Sequence, residues 1–117
     1  MPFYAWEELK VDTITPKYSS ASGPNIRGEK MEVGLFFYPA GTEAKPHTHP
    51  NEQFQVVLKG KAKWYIAGDG EKVVAAGDVV LVPANTEHGV EVLEDLEVIN
   101  CKEIVAGWSV KHARWEK

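Results

Sequence analysis

Gly41-Thr42-Glu43-Ala44-Lys45-Pro46-His47-Thr48-His49-Pro50-Asn51-Glu52-Gln53-Phe54-Gln55-Val56-Val57-Leu58-Lys59-Gly60 is a glycine-bounded segment with two histidines at its centre and an apolar run at its end. Residues 54–59 are rich in Val and aromatic character and stop at a glycine, which is the chemistry of a strand. His47 and His49 stand two apart, and in extended backbone residues i and i+2 point to the same face, so their imidazoles converge. Gln53 keeps that parity and joins them if no bulge intervenes, and Gln55 and Val57 continue the inward face. Glu52 has the opposite parity and would replace Gln53 only if the chain bulges at Pro50-Asn51.

Strand signals continue on both sides of this segment. The runs 31–38, 54–59, 61–67, 72–75, 78–83, 87–93 and 96–101 are short, rich in Val, Ile and aromatics, and bounded by Gly, Pro, Asn or Asp. Gly68-Asp69-Gly70 reads as a tight hairpin, because Asp-Gly tolerates positive φ, and Glu94-Asp95 reads as a second turn. Short strands at close spacing, with no helical pattern between them, predict an all-β sandwich or barrel. Residues 1–30 form an N-terminal arm in which Phe3, Tyr4, Trp6 and Leu9 suit a short helix or an edge strand. The segment 19–25 is a loop by composition. Residues 102–117 form a charged tail carrying Trp108, His112 and Trp115. The terminal aromatics suit packing across the chain's own barrel or against a second subunit.

At 117 residues the chain is expected to be one domain, 1–117, with one core. Its 44% hydrophobic and 26% charged residues fit a globular protein and not a disordered one. A net charge of −4 gives no reason to expect nucleic acid or an anionic membrane as partner. The single cysteine, Cys101, excludes an internal disulfide and a cysteine zinc knuckle, and reads as a core thiol. The opening MPFYAWEELK lacks the basic start and apolar run of a secretory leader, and no apolar run approaches ~18 residues; both point to a cytoplasmic protein.

His88 is the remaining chemical signal. It follows the turn Pro83-Ala84-Asn85-Thr86, far along the chain, and closure of a barrel would bring it to His47 and His49. Three imidazoles with an amide oxygen suit one divalent transition metal such as Fe, Mn, Ni or Zn.

The segment Gly41–Gly60 resembles the first motif of the cupin family: Gly, five residues, His-x-His, three or four residues, Glu, six residues, Gly, with Gln53 in the Glu place. Gly77-Asp78-Val79-Val80-Leu81-Val82-Pro83-Ala84-Asn85-Thr86-Glu87-His88-Gly89-Val90-Glu91-Val92 resembles the second. Asn85 there replaces the turn glycine, which its access to left-handed backbone permits, and Val92 replaces the final Asn. The sixteen residues between Gly60 and Gly77 match the intermotif hairpin of small cupins. The resemblance, carried by residues 41–92, implies a conical jelly-roll barrel (a double-stranded β-helix), a metal held by His47, His49, Gln53 and His88, and a homodimer.

Four neutral ligands would leave a divalent ion its full charge, favouring Lewis-acid chemistry and anionic, oxygen-rich small molecules. The resemblance to sugar-acid-processing cupins implies isomerisation, ring opening or lysis of a small acid; no catalytic acid or base is identifiable. Resemblance to other cupins leaves two alternatives, an Fe(II)-dependent dioxygenase and a non-catalytic ligand-binding protein. Gln55, Arg27 and Tyr38 are candidates to line the substrate pocket, Arg27 as a fork for a carboxylate.

Overall fold

The computed structural model describes residues 3–9, 12–13 and 22–107. After a 3-10 turn at Trp6–Glu8 come nine strands: β1 (Asp12–Thr13), β2 (Ser22–Gly23), β3 (Asn25–Arg27), β4 (Met31–Tyr38), β5 (Glu43–His47), β6 (Gln53–Ile66), β7 (Gly70–Ala75), β8 (Val79–Val82) and β9 (His88–Glu103). All strand pairs are antiparallel, and the architecture is an all-β jelly roll.

β6 and β9 build it. They pair along their whole lengths, from Gln53 against Lys102 to Ile66 against His88. The first half of β6 also pairs β8, and the second half pairs β7. The second half of β9 also pairs β4, and its first half pairs β5. The β6–β9 ribbon is thus shared by two sheets and folds over on itself between them.

The fold-over sits at Gly60. Its φ of 89° lies in the left-handed region, and a Cβ there would overlap the backbone carbonyl of Asp95. Register shifts between Val57 and Ala62 change the parity, so that Gln55 and Val57 are buried before the bend and Ala62 and Trp64 after it. The sequence reading of strands at 54–59 and 61–67, and at 87–93 and 96–101 with a turn at Glu94-Asp95, is therefore corrected: each pair is one long, bent strand. Lys102 and Glu103 likewise belong to β9 and not to a tail.

The core draws on both sheets: Phe36 from β4, Val57, Ala62 and Trp64 from β6, Val74, Val80 and Val82 from β7 and β8, and Val92, Leu96 and Val98 from β9. Val57, Val82, Val92 and Val98 are fully buried, each contributing about 1.5–3 kcal/mol by leaving water. Cys101 is not in the core; it lies half-buried beside buried Asn100, on the alternate face of β9. In the N-terminal arm Phe3 and Tyr4 are exposed. Part of the predicted loop 19–25, together with Trp108, His112 and Trp115, lies outside the described residues. No helix among the described residues is long and apolar enough to cross a membrane.

Candidate metal centre

Folding the β6–β9 ribbon double brings its two ends face to face. His88 opens β9 and is the register partner of His47, the last residue of β5. β5 is a short strand that pairs only with β9 among the described residues, and it accommodates Pro46 through a register shift between Ala44 and His47. The chain then leaves the sheet, so His49 sits in the turn before β6 and not on a continuous strand as the sequence suggested. Asn85, the only non-glycine at positive φ among the described residues (60°), turns its backbone N–H onto the His49 carbonyl at 2.8 Å. That bond ties the second motif to the first.

One ring nitrogen from each of His47, His49 and His88 lies within 4.8 Å of the others. Ring centroids are 4.4 Å apart for His47–His88, 4.6 Å for His49–His88 and 5.9 Å for His47–His49. Each Nδ1 is bonded to a backbone carbonyl: His47 to Lys45 at 2.7 Å, His49 to Asn51 at 2.9 Å and His88 to Thr86 at 2.8 Å. A carbonyl only accepts, so each Nδ1 carries the proton and each Nε2 keeps its lone pair. Backbone carbonyls hold metal-binding histidines in just this tautomer.

Gln53 stands beside them, with its Oε1 at 3.2 Å from His49 Nε2 and its Nε2 donating to Asn100 Oδ1 at 2.7 Å. Because the His49 proton is on Nδ1, the 3.2 Å approach sets two lone pairs side by side. Converging acceptors of this kind suit a shared cation and repel without one. The donor set, three imidazole nitrogens and an amide oxygen, is chemically suited to a divalent transition metal.

Burial first, and then Lys102, His88 and His47, lower the pKa of His49 from 6.5 to about 3. Burial also lowers that of His88, against its bond to Thr86, with Lys102 adding to the decrease. Both rings are therefore neutral near pH 7, ready to ligate without losing a proton. Trp64 stacks on His88 with centroids 6.2 Å apart.

The other predicted residues divide. Gln55 is buried and donates to Asn100 Oδ1 at 3.3 Å. Tyr38 packs against the core, where burial pushes its phenol up to about 12 against a hydrogen bond with Gln55. Glu52 is exposed, with its backbone N–H bonded to Glu103. Arg27 is exposed on β3, with Nη1 at 3.4 Å from Glu32 Oε2.

Three residues of the site escaped the sequence reading. Asn100 is buried and its one oxygen accepts from both glutamines. Asn51 is buried, with its side chain donating to the Glu103 carbonyl at 2.7 Å and its own carbonyl anchoring His49. Lys102 lies opposite Gln53. The alternation Leu96, Val98, Asn100, Lys102 along β9 was the available signal, a polar pair continuing a buried apolar series.

Comparison with known proteins agrees with the geometry. A family model described as "Cupin domain" matches residues 34–100. A Bacillus subtilis protein described as H2HPP isomerase is 31% identical over 101 residues, covering 85% of this chain and 40% of that protein. The chain thus spans less than half the length of that relative. An RmlC-like cupin from Shewanella frigidimarina superposes with a TM-score of 0.78 at 19% identity, covering 92% and 94% of the two chains. KdgF from Halomonas gives 0.72 at 21% identity, covering 86% and 93%.

Proposed function

Since the chain belongs to the cupin family, we propose that it is a metal-dependent enzyme of isomerase, ring-opening or lyase type, acting on a small, anionic, oxygen-rich acid. One observation carries the proposal: one ring nitrogen each of His47, His49 and His88 lies within 4.8 Å of the others, every Nδ1 is held by a backbone carbonyl, and the Gln53 amide oxygen stands 3.2 Å from His49 Nε2. His47, His49, Gln53 and His88 would hold the metal. Bound there, a divalent cation would supply Lewis acidity towards a carbonyl or hydroxyl oxygen of the substrate. The isomerase description of the Bacillus subtilis relative supports the reaction class.

The chain's own part is to hold and orient. Four neutral donors cancel none of the cation's charge, which favours anions. Asn100 fixes the Gln53 amide with its oxygen towards His49, and fixes Gln55 on the same inner face. The Tyr38 phenol keeps its proton at neutral pH and stays a hydrogen-bond donor. A homodimer is proposed as the working assembly, supported by the exposed apolar side chains Phe54, Val79 and Leu81 on the adjoining strands β6 and β8.

Elemental analysis beside turnover tests the reading. About one divalent transition metal per wild-type chain is expected, with loss in Gln53→Ala and His88→Ala, and isomerisation or lysis of 2-oxo or sugar acids that stops with EDTA. Oxygen consumption with iron, in place of those reactions, would move the assignment to a dioxygenase. Failure to take up metal after reconstitution would overturn it.

A further inference from the structure

Lys102 is the one charged side chain of β9 that continues the inward series of Leu96, Val98 and Asn100. It is half-buried and has Gln53 as its register partner on one side and Glu32 on the other. Burying an ammonium opposes folding unless something pairs with it. Glu32 is the acid nearest in register, and both of its oxygens are engaged elsewhere: Oε1 accepts from Asn25 at 3.0 Å and Oε2 from Arg27 at 3.4 Å. Among the described residues no carboxylate lies within ion-pair distance of Lys102.

The chain thus holds, in register with the candidate donor Gln53, a half-buried cation with no carboxylate within ion-pair distance among the described residues. We propose that Lys102 is the carboxylate-binding residue of the site, its ammonium gripping the acid group of the substrate while the substrate's oxygen functions lie towards His47, His49, Gln53 and His88. This rests on the proposed function and makes it more specific. It selects for acids over neutral sugars or alcohols, and it assigns to Lys102 the role that the sequence reading gave to Arg27. Burial lowers the Lys102 pKa and the negative charge of Glu32 opposes that decrease, while Glu32 itself is engaged by Asn25 and Arg27.

Pyruvate and its neutral methyl ester are the probes, titrated calorimetrically into zinc-loaded and metal-free protein. Wild type is expected to bind pyruvate more tightly than the ester. Lys102→Gln should weaken pyruvate binding roughly tenfold, the scale of one charge-assisted hydrogen bond, and leave the ester unchanged. Lys102→Arg should stay within about threefold of wild type. Because removing an unpaired buried charge relieves desolvation, Lys102→Gln should melt at the same or a higher temperature; a clear fall would mark Lys102 as structural and overturn the proposal. Equal pyruvate binding by Lys102→Gln and wild type at equal metal content would overturn it too, as would no pyruvate binding by wild type in either state. If wild type takes up no zinc, the metalloenzyme reading fails by itself, and the dependence of metal-free binding on Lys102 still decides the anion site.

Discussion

Acid should destabilise the metal-free protein through His49, by an amount that can be worked out. Its pKa is lowered from 6.5 to about 3, mostly by burial. In the unfolded chain the ring takes up a proton as pH falls through 6.5; in the folded chain it stays neutral until about 3. Between these values the unfolded state binds more protons, so stability declines as pH falls. From pH 7 to pH 5 the linkage amounts to ~2 kcal/mol, and about 1–2 kcal/mol once solvent screening is allowed for. Carboxylates elsewhere titrate nearby, so the measurement must be a difference. Urea unfolding in EDTA at pH 7 and pH 5 would be compared for wild type and His49→Gln, whose amide cannot titrate. The wild type should lose about 1–2 kcal/mol more than the variant over this interval. Equal losses would refute the buried, neutral His49 on which the donor geometry depends. Saturating metal should steepen the wild-type loss, because protonation must then also displace the ion.

Asn100→Leu removes the acceptor shared by Gln53 and Gln55; it should cost about 1–3 kcal/mol in urea unfolding and weaken zinc affinity measured by competition with a chelator. Gly60→Ala should destabilise by more than ~3 kcal/mol, since it meets both a left-handed φ and the Asp95 carbonyl. Gly41→Ala, at similar φ with open space around it, should cost only about 1 kcal/mol. If the proposed homodimer uses the exposed apolar face, Leu81→Glu should halve the mass measured by light scattering while leaving metal content unchanged; an unchanged mass would remove that face from the proposed interface.

Much of this was legible in the sequence because the decisive residues carry their own local physics. β4 begins and ends where its apolar run does. The Gly68-Asp69-Gly70 turn closes a hairpin, with both glycines at positive φ and Asp69 N–H on the Ile66 carbonyl at 2.9 Å. Asn85 takes the left-handed turn its residue type allows. What failed was any feature whose meaning depends on a distant strand. Gly60 and Glu94-Asp95 look like chain breakers, yet here they bend strands that continue, because each lies against the other across the ladder. β5, with the sequence Glu-Ala-Lys-Pro-His, has no strand composition and exists because β9 offers it a partner.

The same distinction explains why Arg27 attracted attention and Lys102 did not. An arginine beside a glycine in a loop-like stretch looks available, whereas a lysine at the end of an apolar run looks like the start of a solvated tail. Strand pairing decides what each of them faces. Once β3 lies on β4, Arg27 meets Glu32; once β9 extends past Cys101, Lys102 faces inward opposite Gln53. Electrostatics then adds a constraint that neither residue shows alone. The candidate donors bring no negative charge, and Glu32, the carboxylate nearest in register to Lys102, is already shared with Asn25 and Arg27. A cation bound at the histidines would add to the charge of Lys102 rather than cancel it. Two positive centres on one inner wall repel each other until an anion spans them, so metal and acid should each tighten the other's binding.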